Sequence, residues 1–364
     1  MALGRYFGDM NRRVGGLVRL LACTLAVAMT VVVAGCREAP VPVEYPDDGY
    51  GFAVGAPQAW MAPEDAAREL DAVAGTDATW LRVHIDWQFV EPVKGQFDWS
   101  YVDRWINGAR DRGLKVLGLI VNTPEWARAP GAPLYAPAEN LADFGDFVTA
   151  VVKRYQKRIT NWEIWNEPNL PRFMGFADVR PRRYVDLLKT AYPAIKVVQP
   201  NATVIAAGLS PAVGVDAPPN FVNDMYIAGA KGFFDALAMH PYVYPGGIAA
   251  DPFNSWSDIA RVHDLMTLHG DGDKKIWMTE LGAPTSTTTD EGVSQEEQAR
   301  QITDVLSGLK GTGYSGPAFI YSIRDTDTSN QDEVQDNFGA LLTTDWQRKY
   351  SAAVLAKAPN GGWR

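Results

Sequence analysis

The sequence predicts a closed (β/α)8 barrel in a single domain, and three observations lead to this α/β fold class. Short apolar, β-branched runs alternate with amphipathic helical segments from Tyr50 onward, which is typical of parallel βα units. The number of such runs is eight, the number that closes a barrel. No G-x-G-x-x-G sequence follows the first run, so the alternative, an open doubly wound sheet, lacks its usual dinucleotide-binding signature.

The predicted strands are rich in apolar and β-branched residues, and they occupy residues 50–55, 79–85, 115–121, 160–166, 203–208, 235–240, 275–280 and 317–322. The predicted helices carry apolar residues at helical spacing, and they occupy residues 63–74, 100–112, 140–157, 181–198, 256–269 and 294–310. Together they predict one catalytic domain over residues 50–364. The acidic stretch 325–337 follows the last strand, and a solvated loop fits it better than a calcium site, because its spacing matches no EF-hand pattern.

The N-terminal residues predict export. A basic start that includes Arg12, Arg13 and Arg19 precedes an apolar run at residues 20–34. A membrane-spanning helix needs about 20 apolar residues, so this run is short for one. The run ends in the sequence VAGC, whose last residue is Cys36, and this sequence resembles a bacterial lipobox. Such a site directs cleavage before the cysteine and attachment of lipid to it.

We therefore expect residues 1–35 to be a signal peptide and Cys36 to carry a lipid that anchors the protein to the membrane of the bacterial cell envelope. Residues 36–49 are rich in proline and charge, which predicts a flexible tether. An ordinary secretory signal, which would give a secreted protein, and twin-arginine export are the alternatives. Because Cys23 is the other cysteine, we expect neither a disulfide nor a cysteine-based metal site in the domain.

The net charge of the chain argues against one class of partner. The chain carries −9 at pH 7, and loss of the basic signal would make it more acidic. Nucleic acid would be repelled by such a surface, and no basic run offsets the repulsion. We therefore expect no nucleic-acid partner. No cofactor motif or metal-ligand spacing was found either, so no cofactor and no metal are expected.

Polar and titratable side chains gather at the predicted carboxyl ends of the strands, where (β/α)8 barrels place their active sites. They are Arg82, His84, Asn122, Asn166, Glu167, His240, Tyr242, Glu280 and Tyr321. Two carboxylates at one barrel mouth can cleave a glycosidic bond, because one donates a proton to the leaving oxygen while the other attacks the anomeric carbon. The fourth and seventh strands lie on opposite sides of the mouth, so Glu167 and Glu280 can face each other across a sugar.

The segments around these two glutamates resemble the clan A glycoside hydrolases. The sequence WEIWNEPNL at residues 162–170 looks like the acid/base segment of the clan, and its last three residues are most similar to family 39. The sequence TELG at residues 279–282 resembles the nucleophile segment. Residues 82–126 are similar to family 39 and related exopolysaccharide hydrolases, and family 5 cellulases are more distant. The resemblance covers about residues 50–358.

The resemblance implies a retaining glycoside hydrolase that works by double displacement. In this interpretation Glu167 is the catalytic acid/base and Glu280 is the nucleophile. It also implies that Asn166 binds the sugar 2-hydroxyl and that Tyr242 donates a hydrogen bond to Glu280. Arg82 matches the arginine of the second strand, which would keep Glu280 ionised by opposite charge.

Other strand-end residues are predicted to contact substrate. His240 resembles the histidine of the clan's His-x-Tyr segment, and Asn122 follows the third strand. His84 fits either a substrate contact or a core position.

Aromatic side chains are the remaining substrate-binding candidates, since the C–H faces of sugar rings stack on aromatic planes. Trp87 and Trp126 are predicted to line the cleft, ahead of Trp60 and other tryptophans near strand ends. Many clan enzymes have a tryptophan at the end of the eighth strand, whereas this chain has Tyr321. Tyr321 is expected to take its place beneath the sugar, with Arg324 as an alternative that would suit an acidic glycan.

Two other functions use the same residues. A transglycosylase would transfer the sugar to another sugar hydroxyl instead of to water. A lipoprotein that binds glycan without catalysis is the alternative from another class, but such a protein has little need for a pair of facing glutamates. A glycan is the expected ligand in each case, and the sequence leaves its sugars, its linkage and the choice between exo and endo cleavage open.

Overall fold

The computed structural model describes residues 43–176 and 180–357. The predicted signal peptide at residues 1–35 and the lipidation site at Cys36 lie outside the described residues. Within the described residues, no helix combines the length and apolarity that crossing a membrane requires.

Eight parallel strands form a closed barrel in sequential order, and the last strand pairs with the first. The strands are β1 (Tyr50–Ala53), β2 (Trp80–Asp86), β3 (Lys115–Val121), β4 (Asn161–Ile164), β5 (Thr203–Leu209), β6 (Ala236–Met239), β7 (Ile276–Leu281) and β8 (Ser315–Tyr321). Each overlaps one predicted strand. The predicted fold class is therefore confirmed.

Helices cover the outside of the barrel over the described residues. They are α1 (Pro63–Ala74), α2 (Trp87–Val90), α3 (Ser100–Asp111), α4 (Leu141–Tyr155), α5 (Arg180–Val198), α6 (Pro218–Ile227), α7 (Ser257–Leu268), α8 (Gln295–Leu309) and α9 (Tyr350–Val354). The six predicted helices are all present, with ends within two residues of those expected. The helices α2, α6 and α9 were not predicted. The helix α6 opens on two prolines, which are typical of loops but are also tolerated in a first helical turn.

The barrel interior is filled by an aromatic layer of strand residues. Trp80 of β2 lies 5.4 Å from Trp277 of β7 and 6.2 Å from Phe319 of β8, measured between ring centroids. Strands β2 and β7 are not neighbours in the barrel, so their side chains can meet only through its interior. This layer closes the barrel below the site.

The next inward-facing layer along each strand is polar. Side chains two residues apart point to the same face of a strand. Arg82 therefore follows Trp80 inward, and Thr279 follows Trp277. Arg82 and Thr279 are both fully buried. The alternation of side chains along each strand thus places charged and polar groups directly above the aromatic layer, at the carboxyl-terminal mouth of the barrel.

Residues 43–49, the described part of the predicted tether, lie against the domain. Tyr45 packs on Tyr50 with ring centroids 5.1 Å apart, and Glu44 accepts a hydrogen bond of 2.7 Å from Lys310. This part of the segment is therefore bound to the barrel surface rather than extended as a free tether.

The loop that follows β8 is fixed by a buried ion pair. Lys349 Nζ donates to Asp325 Oδ1 at 3.0 Å and to Thr285 Oγ1 at 2.7 Å, and both members of the ion pair are fully buried. Burial raises the pKa of Asp325 and lowers the pKa of Lys349, because each charged form loses its hydration. The acidic stretch after β8 thus begins with a structural carboxylate.

We expect Lys349→Met to lower the free energy of unfolding by about 3–5 kcal/mol, since it leaves Asp325 buried without its cation. Urea unfolding at pH 7 measures the effect. The matched control is Lys310→Met, whose partner Glu44 is 58% exposed, and it should change stability by less than about 1 kcal/mol. Equal losses in the two variants would show that the buried pair does not fix the loop.

Candidate active site

A buried arginine organises the mouth of the barrel. The guanidinium of Arg82 donates through Nε to Glu163 at 2.6 Å, through one terminal nitrogen to Glu280 at 2.6 Å and through the other to Asn166 at 3.0 Å. Its side chain is fully buried. Burial acts to lower the pKa of Arg82, but the charges of Glu163 and Glu280 outweigh that effect and raise it, so the cation is permanent.

Glu163 is a buried carboxylate that the sequence analysis did not single out. It lies inside β4, one residue before the end of the strand, and it is fully buried. Its Oε2 accepts from Arg82, and its Oε1 accepts from Thr279 Oγ1 at 2.9 Å and from Gly208 N at 3.0 Å. A charged residue in the middle of an otherwise apolar strand was the available signal.

His240 connects the two glutamates from below. Its Nδ1 lies 2.9 Å from Glu167 Oε1 and 3.6 Å from Glu280 Oε2, and its Nε2 lies 3.1 Å from Thr279 Oγ1. Burial acts to lower the pKa of His240, but the negative charge of Glu280 and the hydrogen bond and charge of Glu167 outweigh it and raise the pKa. The imidazole thus lies between two carboxylates whose negative charge favours its protonated form.

Glu280 is held in its ionised form. Tyr242 donates its hydroxyl to Glu280 Oε2 at 2.7 Å, while Arg82 binds Oε1. Burial acts to raise the pKa of Glu280, yet the charges of His240 and Arg82 and the hydrogen bonds from Tyr242 and Arg82 lower it to about 2. A carboxylate in this setting is negative at neutral pH and has one fixed orientation.

The backbone at the end of β4 turns sharply to present Asn166 and Glu167. Trp165 and Glu167 have φ values of 73° and 44°, in the left-handed region that L residues seldom occupy. Trp165 is buried, and its Nε1 donates to Phe173 O at 2.7 Å. This contact fixes the turn from beneath, so the strain is supported by the surrounding structure.

The two candidate catalytic glutamates lie face to face. One carboxylate oxygen of Glu167, one of Glu280 and a ring nitrogen of His240 all lie within 4.8 Å of one another. Such a triplet has the ligand types of a metal site. Here, however, the oxygens of Glu280 accept from Arg82 and Tyr242, and a permanent cation already occupies the place next to this carboxylate. The arrangement therefore fits a hydrogen-bonded acid and nucleophile better than a metal centre.

The glutamates open into a cleft with a volume of about 400 Å³. Its wall contains the predicted residues Asn122, Asn166, Glu167, Tyr242, Glu280 and Tyr321, together with His84. Aromatic and polar residues that were not predicted also line it, and they include Asp86, Gln88, Phe89, Tyr135, Arg172, Phe173, Tyr244, Gln335 and Phe338. Most of these lie on loops of irregular length, for which the sequence has no periodic signal.

Three predicted substrate contacts are wrong in detail. Trp87 is fully buried, stacks on Phe147 and donates to Glu91 at 2.7 Å, so it is core material. Trp126 packs edge-to-face on Trp87, and its Nε1 donates to Glu91 O, which turns it away from the cleft. Arg324, the alternative beneath the sugar, instead donates to Glu69 at 2.8 Å. Both tryptophans follow strand ends, but neither is among the residues that line the cleft.

Arg82 and His240 were both among the substrate-binding candidates, and the structure places them beneath the glutamates. The contact of Arg82 with Glu280 that the resemblance implies is present. Both are buried and are not among the residues that line the cleft. Their contacts are with carboxylates, so they act on substrate through Glu167 and Glu280. His84 reaches the cleft wall, and burial together with the charge of Arg82 lowers its pKa to about 3, so its imidazole is neutral.

Comparisons with known proteins agree with this geometry. The family model for glycosyl hydrolase family 10 matches residues 81–203, which contain β3, β4, Glu167 and all of β2 except its first residue. A family 39 glycoside hydrolase from Bacteroides cellulosilyticus WH2 superposes with a TM-score of 0.66 at 24% identity, over 87% of this chain and 65% of that chain.

Two other solved structures have the same fold. A family 39 enzyme from Xanthomonas axonopodis pv. citri gives a TM-score of 0.63 at 18% identity, over 87% of this chain and 66% of that chain. A family 39 β-xylosidase from Caulobacter crescentus gives 0.62 at 19% identity, over 87% and 72%. This chain thus spans about two thirds of the length of the first solved structures it matches. The predicted resemblance to the clan A glycoside hydrolases is confirmed.

We expect Tyr242→Phe to weaken the network at neutral pH more than at acid pH. The folded-state pKa of Glu280 lies below its ordinary 4.5, so its ionisation contributes stability above that pH and loses it as the pH falls towards 2. Loss of the hydroxyl raises this pKa. The free energy of unfolding should fall by about 1.5–3 kcal/mol at pH 7, with a smaller deficit at pH 3.

Urea unfolding of both proteins at pH 7, 4 and 3 measures this difference. Tyr244→Phe is the control, because Tyr244 lies beside Tyr242 in the same cleft, with ring centroids 5.9 Å apart, and the described contacts give it no hydrogen bond to Glu280. A deficit that does not depend on pH would mean that Tyr242 packs in the site without stabilising the charge of Glu280.

Proposed function

We propose that this chain is a retaining glycoside hydrolase that cleaves an oligosaccharide or polysaccharide by double displacement. The observation that carries the proposal is the unequal setting of the two facing glutamates. Both line the cleft, but Glu280 is held ionised by Arg82 and Tyr242, whereas the described hydrogen bond to the carboxylate of Glu167 comes from His240 and no arginine or tyrosine binds it there. Retaining enzymes need two carboxyl groups about 5–5.5 Å apart in different roles, one a nucleophile and one an acid.

In the first step Glu280 attacks the anomeric carbon while Glu167 protonates the departing oxygen, and a glycosyl–enzyme ester forms. In the second step Glu167 takes a proton from water, which attacks the same carbon and releases Glu280. His240 lies against both carboxylates and compensates the change in charge at Glu167 between the two steps. Arg82 donates a hydrogen bond to the side-chain carbonyl oxygen of Asn166. The side-chain amide nitrogen of Asn166 can therefore donate to a sugar hydroxyl.

A transglycosylase would use the same residues, with a second sugar in place of water. Polar and aromatic side chains both line the cleft, so it can accept a sugar as well as water. The binding-only alternative explains less, because a glycan-binding protein gains nothing from an orienting cation and a tyrosine on one carboxylate.

The site of action belongs to the same proposal. We propose that the domain works outside the cytoplasmic membrane, attached through lipid at Cys36 after cleavage of residues 1–35. The lipobox-like sequence and the basic, apolar start of the chain support it. A diacylglyceryl group supplies the two acyl chains that stable anchoring requires.

We expect Glu280→Ala to abolish turnover and Glu167→Ala to retain part of it on substrates with good leaving groups. The test uses 4-nitrophenyl β-xyloside, β-glucoside, β-mannoside and N-acetyl-β-glucosaminide, and then xylan, β-mannan, mixed-linkage β-glucan and alginate. Azide should restore Glu167→Ala and give a β-glycosyl azide, because the ester intermediate then lacks only a base to activate water.

The stereochemistry of the azide product decides the mechanism. Retention supports double displacement, and inversion contradicts it. Rescue of Glu280→Ala with retained configuration, instead of Glu167→Ala, would exchange the two roles, because azide that replaces a missing nucleophile gives the inverted product. Hydrolysis of none of the eight substrates by the wild-type protein would argue for the binding-only alternative, and products longer than the substrate would favour transglycosylation.

For the anchor, we expect Cys36→Ser to release the protein from the membrane fraction, because the lipid can no longer be attached. Fractionation followed by immunoblotting of cells that express each form measures this. Cys23→Ser is the control, since Cys23 lies within the predicted signal and should not affect anchoring. Retention of Cys36→Ser on membranes would point to an uncleaved signal.

A further inference from the structure

Two aromatic pairs stand on the rim of the cleft, and the catalytic arrangement makes no use of them. The first pair is Trp60 and Phe89, whose rings meet edge-to-face with centroids 5.4 Å apart. Trp60 is 68% exposed and Phe89 is 38% exposed, although both are large and apolar. Exposed apolar groups that touch each other at a concave surface mark a binding site.

The second pair is Tyr135 and Phe173, with ring centroids 5.0 Å apart. Both are partly exposed and line the same cleft. Phe173 is held in place, because its carbonyl oxygen accepts from the buried Trp165 at 2.7 Å. Arg172 covers the outer face of Phe173 at 4.6 Å and keeps this ring at the rim. The pair is therefore a preformed surface rather than a loose loop.

The two pairs follow four consecutive strands, β1 and β2 for the first pair and β3 and β4 for the second. Trp60 follows β1, and Phe89 lies in α2 directly after β2. Tyr135 lies on the connection after β3, and Phe173 lies in the 3-10 turn Pro171–Met174 after β4. Trp60 and Phe173 are three strands apart in a ring of eight. The cleft that contains both glutamates extends between them.

We propose that the two aromatic pairs are outer sugar subsites, and that the cleft binds a glycan chain across both sides of the bond it cleaves, so that cleavage is internal. This inference rests on the proposed function for the position of that bond. Phe173 lies six residues after Glu167, the acid that protonates the leaving oxygen. The pair Tyr135–Phe173 therefore holds the leaving part of the chain, and the pair Trp60–Phe89 holds the part that becomes bound to Glu280.

An enzyme that removes single terminal sugars needs a closed pocket at one end of its site. The described cleft instead carries aromatic side chains after β1 and β2 and again after β3 and β4. Trp60 and Phe89 offer apolar faces that recognise a sugar ring by its shape, whereas the second pair combines its rings with the guanidinium of Arg172, which lies 4.6 Å from the ring centroid of Phe173 and lines the same cleft. The ligand class is therefore a linear glycan of at least several sugars.

Binding can be tested without turnover by affinity electrophoresis of Glu167→Gln. Native gels contain xylan, β-mannan, mixed-linkage β-glucan or alginate at the same concentration. We expect at least one polymer to retard this variant. Addition of Trp60→Ala, or separately of Phe173→Ala, should weaken the retardation about tenfold or more, because a stacked ring contributes beyond its buried area. Both side chains are at least partly exposed, so the variants should fold, and thermal unfolding verifies this.

The matched control is Phe253→Ala. Phe253 is 62% exposed but lies in the turn Pro252–Asn254, outside the residues that line the cleft. It should leave retardation unchanged. Equal effects of Trp60→Ala and Phe253→Ala, or no retardation by any polymer, would overturn the inference.

Products from the retarding polymer give a second, independent measurement. The wild-type protein should first release oligosaccharides of mixed length, and a single small product from the first minutes onward would contradict internal cleavage. Polymer binding that depends on Trp60, with no hydrolysis of any glycoside, would contradict the proposed function and support the aromatic subsites. Hydrolysis of aryl glycosides without polymer binding would support the proposed function and contradict the aromatic subsites.

Discussion

The site depends on the compensation of one buried cation. Arg82 is sealed inside the barrel mouth, and a charge in that position is tolerable only if anions and hydrogen-bond acceptors surround it. Glu163 and Glu280 supply the negative charge, and Asn166 accepts the remaining donor. The same three contacts that make the arginine stable also orient the proposed nucleophile and the proposed sugar-binding amide.

The remaining polar network follows from this centre. The buried carboxylate of Glu163 also needs hydrogen-bond donors, and Thr279 and the backbone N–H of Gly208 supply them. Thr279 in turn meets His240, which reaches Glu167. An added side chain at Gly208 would collide with the ring of His240, so even this backbone position is adapted to the network. A chain of hydrogen bonds thereby links the nucleophile side of the mouth to the acid side.

The cleft above this network combines a rigid floor with loops of unequal length. The alternation of each strand puts apolar residues at one level and polar residues at the next, which is why the chemistry lies at the carboxyl ends. The loops decide what reaches the substrate. The same rule that made Trp87 and Trp126 candidates also applied to Trp60, yet Trp87 became core, Trp126 turned away and Trp60 stayed at the rim.

The sequence by itself determined the barrel and the position of both glutamates, because strand periodicity and local segments such as WEIWNEP are properties of contiguous residues. Helix ends were predicted within two residues for the same reason. The family resemblance implied that Arg82 and Tyr242 contact Glu280, and the tertiary structure has both contacts. Only the tertiary structure decided the partners of Glu163, which lies 81 residues from Arg82 and 116 residues from Thr279 in the chain. The aromatic rim was also decided there, since the direction of a loop depends on packing between distant elements and not on its own residues.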